Sequence, residues 1–167
     1  MKRGLVRDVL KYTVLQINIE KMTSKIFEHI LVPYNGCPGS QKAFKKAIDL
    51  THLTNSKITI LTCLEDRATF GLFKTKTQKQ EFENEQKLVL KEHLKLGEYA
   101  KKKNISPESK IIKSNMAAQT ILEFADKHHV DLIIMGMKNR TRYEKMHYPS
   151  TIEDVSKNFH GAILILN

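Results

Sequence analysis

Asp131-Leu132-Ile133-Ile134-Met135-Gly136 is the stretch that decides the fold. A short apolar run ends at a glycine, passes into a polar and strongly basic segment, and reaches Pro149-Ser150. That pattern reads as a buried parallel strand delivering its carboxyl end to a loop and a new helix. In open α/β sheets, ligands bind at such strand ends.

Working outward, Ala118, Ile121, Leu122 and Ala125 mark an amphipathic helix before this strand, closing at Lys127-His128-His129, where positive charge suits the helix dipole. Adjacent histidines on a helix point in different directions and no second pair accompanies them, so they read as a helix end and not as metal ligands. After the strand, Ser150 can cap a helix carrying Ile152, Val155 and Phe159. His160-Gly161 closes it, and Ala162 to Leu166 forms a last strand.

The amino-terminal half repeats the alternation. Phe27 to Tyr34 holds the apolar run Ile30-Leu31-Val32, and Pro33 ends its pairing because it has no N–H to donate. The turn cluster Asn35-Gly36-Cys37-Pro38-Gly39-Ser40 follows, with Ser40 expected as the N-cap of a helix bearing Ala43, Phe44, Ala47, Ile48 and Leu50. Asn55-Ser56 breaks that helix, and Lys57 to Leu64 is a β-branched second strand. Glu65 to Thr77 reads as a loop. A long helix from Gln78 to Lys103 sets Phe82, Gln86, Val89, His93, Leu96 and Ala100 on one face, with Glu and Lys filling much of the rest as a solvated surface. Asn104 to Pro107 ends it, and Lys110-Ile111-Ile112-Lys113 suits a lysine-guarded edge strand. Strands alternating with helices predict an α/β fold with a doubly wound parallel sheet. Residues 1–24 are expected to be an extension, with Met22 a candidate start, and residues 25–167 the domain. Residues 1–21 carry five cationic and two anionic side chains, a net +3 of the chain's +10.

Composition narrows the function. Lys and Arg number 28 against 18 Asp and Glu, which favours anionic partners or good solubility. The excess is dispersed and the chain has no Trp, so a stacking platform for nucleic acid is disfavoured. Cys37 and Cys63 form no CxxC or Cys/His spacing, which disfavours a zinc site or disulfide framework and fits a cytoplasmic protein. Cys37 is read as standing in for a serine and Cys63 as a small core residue, in preference to a redox pair. No apolar run approaches the ~20 residues that span a bilayer. Neither GxxxxGK[ST] nor GxSxG occurs, and no catalytic set stands out, so the chain is not expected to be an enzyme, slow ATP hydrolysis being left open.

Four segments together resemble the universal stress protein family from about Phe27 onward. They are Ile30 to Gly36 with Ser40 and Ala43, Ile121 to Ala125, Asp131 to Gly136, and Ser150 through Glu153 and Val155 to the closing strand. The resemblance implies a Rossmann-like open sheet in the order 3-2-1-4-5 with helices on both faces. It also implies a regulatory role in stress, and commonly a homodimer paired through Ala162 to Leu166. ATP or a related adenine nucleotide would lie at the carboxyl ends of strands 1 and 4. No metal motif is present, and any further protein partner is unspecified.

The residues so implicated are Pro33, Asn35, Gly36, Met135, Gly136, Asn139, Arg140, Ser150 and Thr151. ATP-binding members carry a glycine, two residues, a glycine, nine residues, then glycine and a hydroxyl residue. Those places hold Gly136, Asn139, Pro149 and Ser150 here, so two glycines are lost. Pro149 removes an N–H and fixes φ near roughly −65°. The family's usual aspartate is Asn35, and Ile152 replaces a frequent small hydroxyl residue. Lys138, Arg140, Arg142, Lys145 and His147, opposed by Glu144, can hold phosphate by charge, though they also suit an ordinary exposed loop. The alternative is a dimeric protein-interaction module that has lost nucleotide binding.

Overall fold

The computed structural model describes residues 26–64, 76–137 and 150–167. The expectations for residues 1–24, for Asn139 and Arg140, and for the basic segment fall outside these. Five strands form one parallel sheet: β1 (His29–Pro33), β2 (Lys57–Leu64), β3 (Glu108–Lys113), β4 (Leu132–Gly136) and β5 (Ala162–Leu166). Its order is β3-β2-β1-β4-β5, as the resemblance implied. The chain reverses direction across the sheet between β1 and β4, which creates a topological switch point.

Period-two alternation sorts the strand side chains into two layers. Ile30, Val32, Ile58, Ile60, Leu132 and Ile134 pack under helices α1 (Pro38–Thr54) and α2 (Lys76–Lys101), meeting Ala43, Phe44, Ala47, Ile48 and Ala100. Leu31, Leu61, Ile133 and Met135 face α3 (Ala117–Lys127) and α4 (Thr151–Asn158), meeting Ile121, Phe124, Ala125 and Val155. Ile30, Leu31, Val32, Ile133 and Ile134 have no exposed surface, as expected of central strands covered on both sides.

Local details depart from the sequence expectations in instructive ways. Ser40 is not the N-cap of α1. The helix starts at Pro38, whose fixed φ suits the first helical position, and Cys37 caps it: its Sγ accepts from the Ser40 amide at 3.4 Å. The Ser40 hydroxyl donates back to the Cys37 carbonyl at 2.9 Å. Helix α2 ends at Lys101, two residues early, because Asn104 turns left-handed (φ 59°) and lets the Ile105 amide donate to the Ala100 carbonyl. Gln86 is exposed and does not share the inward face. Phe159 follows α4 as its C-cap. Strand β3 begins two residues before Lys110, and Glu108 there pairs with Lys57 at 2.9 Å and Lys110 at 2.8 Å.

Asp131 fastens the amino-terminal rim. Its carboxylate accepts the backbone amides of Glu28 at 2.7 Å and His29 at 3.0 Å, fixing where β1 enters beside β4. At the opposite rim, Gly136 and Gly39 bring two backbones into contact. A β-carbon on Gly136 would fall 1.8 Å from the Gly39 carbonyl oxygen, and one on Gly39 would fall 2.2 Å from that of Met137.

Two buried histidines are wired between layers. The Nδ1–H of His29 donates to the His128 carbonyl at 3.0 Å, and Nε2 lies 2.8 Å from the Thr59 hydroxyl, which also reaches the Glu108 carboxylate at 3.4 Å. His93 lies in a chain whose direction is set by the Thr62 hydroxyl, which donates to the Tyr34 carbonyl at 2.8 Å. His93 Nε2–H therefore donates to Thr62 Oγ1 at 2.8 Å, and Nδ1 accepts from the Ser109 hydroxyl at 2.6 Å. The His93 ring is neutral in this arrangement, and burial lowers the pKa of both histidines from 6.5.

Backbone crowding predicts that Gly136→Ala destabilises the fold by ~3 kcal/mol. Gly97→Ala, in the open part of α2 with nothing within 4 Å, should instead stabilise it by ~0.5–1 kcal/mol. Urea titrations of the two variants check both signs. Because the unfolded chain takes up protons on these histidines near 6.5 while the folded chain resists, unfolding free energy should fall as pH drops below about 6.5. A second loss should follow below 4.5, where Glu108, held down to about 2 by Lys110 and Lys57, is protonated first in the unfolded chain. Urea midpoints measured from pH 8 to 3 test this, and a His93→Gln variant should flatten the first limb.

Candidate functional site

Above the carboxyl ends of β1 and β2 lies a cavity of about 250 Å³. Its described walls are Tyr34, Asn35 and Gly36 after β1, Thr62, Cys63 and Leu64 at the end of β2, and Glu85, Val89 and Glu92 on α2. The sequence places these groups here by simple means. Pro33 ends the β1 ladder, so the chain turns upward at Tyr34, whose amide still donates to the Leu61 carbonyl at 2.8 Å. Gly36 takes the left-handed conformation (φ 78°) that the turn into α1 requires. Glu85 and Glu92 are seven residues apart and so share one stripe of α2, beside the inward stripe that seats His93.

The wall is polar and acidic. The Tyr34 hydroxyl donates to Glu92 Oε1 at 2.7 Å, and burial together with that carboxylate pushes the phenol well above its ordinary range, so it stays a donor. The Tyr34 ring meets His93 edge-on at 6.0 Å between centroids. Cys63 is half-buried and its thiol is pushed up to about 11 by burial, so it is a protonated wall group at neutral pH. Both cysteines are free thiols. The Asn35 side chain turns inward on its own backbone, accepting from the Cys37 amide at 3.2 Å.

Of the residues expected from sequence, Asn35 and Gly36 border the cavity. Pro33 closes β1 opposite Leu61, and Met135 is buried in the layer under α3 and α4. Gly136 ends β4 against Gly39. Ser150 caps α4, its Oγ accepting from the Glu153 amide at 3.5 Å, and Thr151 is the first residue of that helix. The turn holding Asn35 and the turn beginning at Gly136 do meet on one rim, through Gly39. The cavity described above, however, lies on the β2 side of β1. Sequence reasoning did not single out Tyr34, Glu85 or Glu92 for the site. The only available signal was a pair of carboxylates at i and i+7 flanking an apolar stripe, in a helix crowded with Glu. No cluster of three or more metal-ligating side chains occurs among the described residues.

Comparison with known proteins agrees with this architecture. The model of the universal stress protein family matches residues 26–167. A universal stress protein of Methanocaldococcus jannaschii is 25% identical, the alignment covering 99% of this chain and 96% of that one. Among solved structures, the universal stress protein UspA from Lactobacillus plantarum superposes with a TM-score of 0.73 at 18% identity, covering 84% of this chain and 97% of its own. The universal stress protein from Archaeoglobus fulgidus in complex with dAMP gives 0.58 at 14% identity, covering 85% and 99%. Strand order, switch-point rim and the span of the match converge, and the chain belongs to the universal stress protein family.

Proposed function

We propose that this protein is a non-enzymatic regulatory module of the stress response that binds an adenine nucleotide along the carboxyl rim of its sheet. The observation that carries the reading is the cavity bordered by Asn35 and Gly36 at the β1 end of the switch point. The nucleoside end occupies that cavity. The phosphates extend across Gly39 and Gly136 toward Ser150, Thr151, Asn139 and Arg140, with Lys138, Arg142 and Lys145 supplying charge in place of a glycine-lined cradle. The dAMP complex of a structural neighbour supports an adenine ligand for this fold. The module acts in the cytoplasm; separately, no described helix is long and apolar enough to cross a membrane. Two copies pair through β5, whose outer margin has no neighbour strand among the described residues and carries Ile165 at 42% exposure.

A second reading, a dimeric interaction module without nucleotide, is favoured by one observation. Packing alone accounts for the retained Gly136, because Gly39 fills the place where a side chain would stand.

Calorimetry on nucleotide-free protein separates the two. Heat on titrating ATP or AMP is expected, and its absence at millimolar nucleotide, with none co-purified, leaves only the second reading. Arg140→Ala and Arg142→Ala should each weaken ATP by about tenfold while sparing adenosine. Ile165→Lys should convert a dimer to a monomer by sedimentation velocity.

A further inference from the structure

Glu92 stands in the cavity wall with one carboxylate oxygen engaged and the other turned over the turn. Oε1 accepts from the Tyr34 hydroxyl at 2.7 Å. Oε2 hangs above Gly36, so near that a β-carbon there would lie 3.2 Å from it, and no other described residue donates to this carboxylate. Of the other side-chain acceptors in the described lining, Asn35 has its oxygen taken by the Cys37 amide, and Glu85 is exposed and is not held by the phenol. The described lining contains two carboxylates, Glu85 and Glu92, and no Lys, Arg or His.

These features fix which part of a ligand can enter. A phosphate would meet like charge with no described cation to offset it. A neutral group bearing N–H or O–H donors would find an acceptor already oriented by a buried phenol. At about 250 Å³ the space falls below the ~300–1,000 Å³ that encloses a whole drug-sized ligand, so it admits one end of a nucleotide.

We propose that Glu92, held by Tyr34, is the specificity-determining acceptor for the nucleoside end of the ligand, taking a hydrogen bond from the base amino group or a sugar hydroxyl while the phosphates remain outside the cavity. The inference rests on the nucleotide-binding reading and adds the residue that selects the ligand. Gly36 is then required twice: for its positive φ, and because a side chain there would crowd the Oε2 that meets the ligand.

The test is calorimetry on the full chain with AMP, IMP, 2′-deoxy-AMP, 3′-deoxy-AMP and inorganic tripolyphosphate, using wild type, Glu92→Ala, the shape-preserving Glu92→Gln, and Tyr34→Phe. Glu92→Ala should weaken AMP about tenfold or more and leave tripolyphosphate unchanged or tighter. Glu92→Gln and Tyr34→Phe should show smaller losses in the same direction. The Glu92→Ala penalty should vanish for the one analogue that lacks the donor Glu92 uses: IMP for the amino group, a deoxy nucleotide for a hydroxyl. Undiminished AMP affinity in folded Glu92→Ala and Glu92→Gln overturns the proposal and leaves nucleotide binding intact. An equal loss on every probe overturns it as general damage. Wild-type protein that binds none of the nucleotides removes the underlying reading, and this proposal with it.

Discussion

The architecture turns on two peptide backbones touching with no side chain between them. Gly39, in the first turn of α1, lies against the end of β4, where its carbonyl oxygen occupies the volume a β-carbon on Gly136 would need. Because β1 and β4 are neighbours, this contact sets how low α1 can sit over the sheet and where the chain must leave β4. The apolar layer beneath α1 follows from it: Ala43, Ala47 and Ile48 reach the strands only if the helix enters at that height. Small residues at the entry and bulky ones further along are the expected outcome of such close approach.

The other rim is held by charge and the interior by hydroxyls. Asp131 collects two backbone amides at the start of β1, a charge-assisted arrangement at the point where four central strand residues begin. Within the layers, Ser109, His93, Thr62 and the Tyr34 carbonyl run in one donor-to-acceptor direction from β3 through α2 to the end of β1. Every buried ring nitrogen in this run is paired, which a low-dielectric interior demands. The same run terminates at the Tyr34 carbonyl, on the residue whose phenol reaches Glu92.

Much of the fold was legible because it depends on periodicity. Apolar runs at Ile30 to Val32 and at Ile133 to Met135, separated by helices with three- and four-residue spacing, leave few alternatives to a parallel sheet. Strand order came from the resemblance, since alternation alone does not say which strands are neighbours. The Ser150 cap was legible, but the cap of α1 was misread where chemistry competes: a serine three residues into α1 looks like a cap, but a proline two residues earlier had already started the helix. The cavity wall was least legible. Glu92 is one glutamate among many on α2, and only the rotation of that helix, fixed by burying His93, turns it toward Tyr34. Gly136 shows the converse, a motif position whose glycine has a packing reason of its own.

The two margins of the sheet are unlike each other. On β3 the backbone edge is flanked by Lys110 and Lys113, with Glu108 clamped between Lys57 and Lys110. On β5 the residues are Ala, Ile, Leu, Ile and Leu, with no charge among them. Of the two described margins, one is guarded by like charge and the other is bare hydrocarbon, so the sheet is polarised from side to side and any strand that adds to it is steered toward β5.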